Sequence, residues 1–201
     1  DTSATAVIMT SIDSVTKWRN ILLHLQPIES NLFGHLKEHL VAEVSLGSII
    51  SVSTALTWLR SSFLWQRVQQ NPTYYDIPRG LTQERLTQEL TTICLKDLRE
   101  VAAVGLISLS DSDGTISVTD SGRAMSRFYV EFQTMAAFIK LDPKASLSGI
   151  LEVVAGAKEF SDYHLRISDK KELACVNQST AIKFPFQGKI TKDVQKISLI
   201  I

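Results

Sequence analysis

Cysteine is scarce in this sequence: only Cys94 and Cys175 occur, far apart and without a C-x-x-C pair. That excludes a disulfide scaffold and a cysteine-rich zinc site, and it makes a reducing compartment the default expectation. No uninterrupted apolar run approaches the roughly 20 residues of a membrane-spanning helix, so no membrane partner is expected. No charged leader ahead of an apolar stretch marks a secretory signal. Charge of one sign is not in excess either, since 21 Lys and Arg balance 21 Asp and Glu. Neutralising phosphates needs surplus cations, so the balance argues against a nucleic-acid binder driven by whole-chain charge while leaving room for a local basic face. Also missing are a G-x-x-x-x-G-K-[ST] phosphate loop, a DExH-type acidic box, a Gly-rich dinucleotide turn and any placeable Ser-His-Asp set. No residue can therefore be assigned to ATP hydrolysis. The chain by itself is expected to hold no catalytic residue and no cofactor.

What is present reads as a folded protein: 44% of the 201 residues are hydrophobic and 21% charged, enough for one large or two small domains. The C-terminal "KDVQKISLII" stops inside an apolar segment, which fits a piece of something longer. Near the start, "ATAVIMT" (residues 4–10) is a short β-branched run of buried-strand type, expected to join a sheet lying outside this sequence. After Pro27, apolar residues at Ile28, Leu32, Phe33, Leu36, Leu40, Val41 and Val44 have amphipathic-helix spacing, with Gly47 as the stop. A second helix is predicted from an N-cap at Ser51 or Ser53 through Val68, broken by Pro72, Pro78 and Gly80. A third pattern, in one or two pieces, runs from Leu81 to Val104 with Gly105 placed for a left-handed cap. Leu106–Leu109 and Thr115–Val118 then alternate around an Asp113-Gly114 turn signal, predicting a β-hairpin.

Three helices followed by one hairpin is the order of a winged-helix domain, the hairpin being the wing. A two-stranded hairpin is marginal alone and needs such a helical platform. Beyond it, a helix from Thr119–Ser121 is expected to place Met125, Phe128, Tyr129, Phe132, Met135, Ala136 and Ile139 on one stripe, ending at Asp142-Pro143. Further helices fit 147–157, capped by Ser146, and 169–176. The fold class is thus mainly α: a winged helix followed by part of a helical bundle.

Several motifs tempt. "HLKEH" (His35 to His39) matches the H-x-x-E-H zinc-peptidase pattern, with two imidazoles one helical turn apart and a glutamate base. No third ligand stands out, and the polar flank of an amphipathic helix explains both histidines, so no metal is assigned. Asn177-Gln178-Ser179 is a formal glycosylation sequon with no secretory signal to use it. In "WLRSSFLWQR", Arg60 and Arg67 interleave with Trp58 and Trp65, residues able to stack on bases, although aromatic core with solvated arginines is the plainer reading. Lys96 and Arg99 on the third helix stand where recognition-helix cations reach phosphate, yet Asp97 and Glu100 alternate with them. The candidate nucleic-acid-binding residues are therefore Lys96, Arg99, Arg60 and Arg67.

Four phrases in order carry a resemblance: "ATAVIMT", "IESNLFGHLKEHLVAEVSLGSI", "ALTWLRSSFLWQRVQQNPTYY" and "VTDSGRAMSRFYVEFQTM". The series resembles the region after the second RecA-like domain of Ski-two-like DExH helicases. "EFSDYHLRISDKKEL" and "FPFQGKI" are further echoes, and "ICLKDLREVAAVGLI" is most similar to the family's meiotic, crossover-promoting DNA-helicase branch. The resemblance implies three parts: 1–26, the end of the second RecA-like domain and a linker; 27–122, the winged helix; 123–201, the start of a Sec-sixty-three-like helical domain. It also implies a nuclear parent that uses ATP and Mg, translocates 3′ to 5′ on DNA, and packs its RecA-like motors against this region. The motors and the family's ratchet helix have no counterpart in these residues, so no catalytic position carries over. A self-standing winged-helix nucleic-acid module, or an RNA-helicase relative of the same family, is the alternative.

Overall fold

The computed structural model describes residues 3–110 and 112–201. Its helices are α1 (Val15–Leu22), α2 (Leu36–Leu46), α3 (Val52–Ser61), α4 (Phe63–Gln70), α5 (Gln83–Val104), α6 (Asp120–Phe128), α7 (Phe132–Ile139), α8 (Leu147–Ala155), α9 (Asp169–Asn177) and α10 (Asp193–Ile200). The strands β1 (Ile107–Leu109) and β2 (Ile116–Val118) pair antiparallel, with Ile107 opposite Val118 and Leu109 opposite Ile116. The mainly α class and the wing stand where the pattern places them.

The hairpin is better supported than its length suggests. Gly114 (φ 68°) turns the chain, and its amide donates to the Ser110 carbonyl at 3.0 Å. Its free edge is covered: the Ile116 amide donates to Ile50 O at 2.8 Å, and the Val52 amide to Gly114 O at 3.0 Å. The lead-in to α3 thus acts as a short third strand, and Ile107 and Ile116 turn inward. Ser51 at that crossing also caps α3. Its hydroxyl accepts from the Thr54 amide at 3.3 Å while Thr54 Oγ1 accepts from the Ser51 amide at 3.0 Å. Ser51→Ala is expected to cost about 1 kcal/mol in urea unfolding, a loss that Thr54→Ala should reproduce because both belong to one reciprocal cap.

Among the described residues two apolar clusters form. The larger gathers Leu36, Leu40 and Val41 of α2, Ala55 and Leu59 of α3, Leu64 and Val68 of α4, and Leu90, Cys94 and Leu98 of α5, with Leu106, Ile107, Ile116 and Met125. The smaller joins Leu173, Ile190 and Leu199, packed by Leu165, Ile182 and Phe186. Met125 belongs to the first cluster. Helix α6 is therefore built into the winged-helix core, and the division at 122/123 read from the sequence falls inside a helix.

Several expected elements differ in detail. The run 4–10 pairs with no strand among the described residues, and Val7 and Met9 are 79% and 93% exposed; the sheet expected to hold it lies outside this sequence. Helix α1 was not anticipated. The stretch after Pro27 divides into a 3-10 turn (Asn31–His35) and α2, because Ser30 accepts from the Leu32 amide and starts a tight turn that contains Gly34. The expected helix from 51 to 68 breaks at Ser62, which is extended (ψ 156°) and restarts the helix by accepting from the Trp65 amide. Leu81 to Val104 holds a single helix of 22 residues. The expected stripe across 119–139 is interrupted at Tyr129, whose φ of 54° ends α6 in the left-handed region. Phe128 and Tyr129 leave that stripe and lie 69% and 91% exposed.

Candidate nucleic-acid interface and the joint behind it

The four cations singled out from the sequence meet different fates. Lys96 is exposed on α5, with Glu100 3.9 Å away. Glu100 also holds Lys37 of α2 at 2.5 Å, and Lys37 lies 3.9 Å from Asp97. Burial pushes the Asp97 carboxyl above its usual range against the pull of Lys37. Arg99 is exposed and makes no salt bridge among the described residues. The outer face of α5 is thus mixed in sign, with Lys96 and Arg99 among its solvent-facing cations. Arg60 is exposed too, its guanidinium carbon 5.9 Å from the Trp65 ring centroid.

Arg67 is committed to the interior of the protein. Its Nε and Nη2 donate to the two carboxylate oxygens of Glu29 at 3.1 and 2.9 Å, with side chains only 12% and 10% exposed. Asn71 donates to Glu29 Oε1 at 2.9 Å, and the Tyr75 hydroxyl donates to Oε2 at 2.8 Å while accepting from the Ser30 amide at 2.8 Å. Five groups from three segments close one network. The hydrogen bonds of Arg67, aided by Asn71 and Tyr75, hold the Glu29 carboxyl at about 2 against the cost of burial. Reading the sequence missed Glu29 and Tyr75, because nothing local links residues this far apart.

A second polar network joins the winged helix to the helical segment. Glu38 Oε1 accepts from the Phe132 amide at 2.9 Å, and Lys37 Nζ lies 4.8 Å from the Phe132 ring centroid. Glu159 accepts from the Glu131 amide at 2.9 Å and from the Thr134 hydroxyl at 2.5 Å, while Thr134 Oγ1 accepts from the Lys158 amide at 2.8 Å. Burial would raise the Glu159 carboxyl, but the Thr134 hydroxyl and the Glu131 amide outweigh it and hold it low. Two carboxylates from separate elements therefore cap the start of α7, where free amides and the helix dipole favour negative charge. Glu38, the would-be base of the H-x-x-E-H pattern, is engaged in this joint, and His35 and His39 are exposed. No group of three or more His, Cys, Asp or Glu among the described residues is arranged for a metal.

In the C-terminal segment, Asp169 and Lys196 pair at 2.6 Å, and Asp193 accepts from the Leu165 amide at 2.7 Å. Asn177, the sequon's asparagine, clasps the backbone of Phe186 from both sides, donating to its carbonyl at 2.8 Å and accepting from its amide at 2.7 Å. Beside Arg67, Leu22, Ile28 and Phe63 line an apolar hollow and are 63%, 57% and 54% exposed.

Comparison with known proteins now bears on these parts separately. A Winged Helix-turn-helix domain model matches residues 29–109, and a Sec63 Brl domain model matches residues 118–201. Over the whole chain, the sequence is 36% identical to the human "Probable ATP-dependent DNA helicase HFM1" across 204 residues. The chain belongs to the Ski-two-like helicase family. It is 34% identical over 209 residues to the Saccharomyces cerevisiae "ATP-dependent DNA helicase MER3", again across its full length. It is 26% identical over 198 residues, 97% of the chain, to chicken "Activating signal cointegrator 1 complex subunit 3". It spans 14% of the human helicase, 17% of the yeast one and 9% of the chicken protein. Within the family, the Phe132 joint lies in the Sec63 Brl match and its glutamate partner Glu38 in the winged-helix match. No helix is long and apolar enough to cross a membrane among the described residues.

Proposed function

We propose that this chain is a non-catalytic segment of an ATP-dependent 3′-to-5′ DNA helicase acting in meiotic recombination in the nucleus. It braces the RecA-like motors and positions the DNA-contacting helical domain. The observation that carries the reading is the double cap on α7. Glu38 from the winged helix and Glu159 from the helical segment hold adjacent amides, so a displacement of one part is passed to the other. The exposed hollow of Leu22, Ile28 and Phe63 suits an apolar partner such as a motor domain. On this reading ATP and Mg belong to that partner, since no phosphate loop occurs in the sequence. Lys96 and Arg99 are the cations best placed to touch a DNA backbone from the winged helix.

The test is made in the full-length open reading frame with Glu38→Ala and Glu159→Ala combined. Losing both caps is expected to lower strand unwinding about tenfold, close to one cap's worth of free energy, while DNA-stimulated ATPase stays within about twofold. Unchanged unwinding, together with duplex binding by the 201-residue chain that is lost in Lys96→Ala/Arg99→Ala, would instead favour a self-standing winged-helix module.

A further inference from the structure

One groove borders the joint, sharing Glu38 and Glu131 with it, and is floored by Met125 of the first core. It runs between α2 and α6, with exposed His39 and Leu46 on one bank and Arg123 and Arg127 on the other, and it ends at Tyr129. Tyr129 is the unusual member. The last position of a helix turns left-handed most cheaply with glycine or asparagine, yet here a bulky aromatic takes φ 54°. Burial does not account for it, because the ring is 91% exposed. Phe128 beside it is 69% exposed, with the Arg127 guanidinium carbon 5.7 Å from its ring centroid. Arg123 is held only by exposed Asp120 at 3.9 Å.

We propose that this end of α6 binds single-stranded nucleic acid, Phe128 and Tyr129 stacking on bases and Arg123 and Arg127 holding phosphates. Two neighbouring exposed rings, flanked by guanidiniums one helical turn apart, match a strand that repeats a flat base and an anion. An acidic peptide would use the guanidiniums and leave the rings idle. Glu38, Glu43 and Glu131 also line the groove and outnumber the two guanidiniums, so the phosphate contacts are confined to Arg123 and Arg127 and stacking supplies most of the affinity. A left-handed tyrosine at a functional surface fits the tendency of strained backbone to persist where a side chain must be presented. The inference rests on the helicase reading and adds to it the place where a strand lies against this part of the family fold.

Binding of a labelled oligothymidylate of about 15 nucleotides to the 201-residue chain is the measurement, with thermal melting of each variant alongside. Tyr129→Gly removes the ring and relieves the backbone, so its melting temperature should hold or rise while affinity falls about tenfold. Two phosphate contacts predict a logarithmic salt slope of about −1.4, and Arg127→Ala should reduce its magnitude by about 0.7. Photo-crosslinking through iodouridine should map to residues 128 and 129. The proposal is overturned by Tyr129→Gly and Arg123→Ala/Arg127→Ala variants that bind the strand like the wild type. A poly-glutamate peptide competing as well as the oligonucleotide overturns it equally. Neither result bears on the α7 caps, whose unwinding test stands apart.

Discussion

Glu29→Ala is expected to destabilise the chain by about 3 kcal/mol or more, among the largest single-residue effects here. The reason is what the substitution leaves behind. Arg67 loses the partner of two hydrogen bonds, Asn71 and the Tyr75 hydroxyl lose their acceptor, and the ion pair's side chains are only 12% and 10% exposed. Removing one member of a buried ion pair costs far more than the pair's net worth, because the other charge stays behind uncompensated. Urea unfolding checks the magnitude, and a loss under 1 kcal/mol would mean the network is incidental. Tyr75→Phe should cost less, about 1–2 kcal/mol, since only one hydroxyl disappears.

Acid titration tests the same network from a second side. The Glu29 carboxyl is held at about 2 against an ordinary 4.5. A depressed carboxylate contributes stability above its unfolded value and loses it as pH falls toward the folded value. The contribution should thus be complete at neutral pH and fade from about pH 4.5 down to about pH 2. Glu29→Gln, which cannot ionise, should narrow its deficit relative to wild type across that window. A deficit independent of pH would assign the loss to packing.

Gly122→Ala should be comparably damaging for a steric reason. A Cβ at this position would stand 2.0 Å from the Leu106 carbonyl oxygen and 3.1 Å from Val118 Cγ2. The obstacle is backbone, so no side-chain rotation relieves it. Helix α6 would have to lift from the wing, breaking the grip of Thr119, whose hydroxyl donates to Gly105 O at 2.7 Å and accepts from the Gly122 amide at 3.1 Å. A loss of about 3 kcal/mol is expected, with Met125 partly drawn from the core and its neighbours losing amide-exchange protection. Wild-type stability in Gly122→Ala would show that α6 does not depend on this approach. The position lies within "SGRAM", part of the phrase that carries the family resemblance.

Where the sequence was readable, the signal was local. The wing follows from alternation around Asp113-Gly114, whose carboxylate accepts from the Thr115 amide at 3.0 Å, and the end of α5 follows from Gly105 at φ 86°. Ser146 caps α8 as its position before the apolar run suggests. Elsewhere periodicity ran across breaks it could not register. Ser62 and Tyr129 interrupt helices whose apolar spacing continues without a gap, because spacing reports which face is buried and says nothing about a single residue leaving helical backbone. Arg67 looked like a solvated arginine for want of any local sign of Glu29.

Composition, turn residues and the order of helices and hairpin were enough by themselves to establish the winged helix and the helical segment after it, since each depends on neighbours in the chain. Which cations remain free, how α6 is seated in the first core, and that Glu38 and Glu159 jointly cap α7 were decided only in three dimensions. These contacts join residues up to 94 positions apart, and such pairings are selected by packing and desolvation after the local elements already exist.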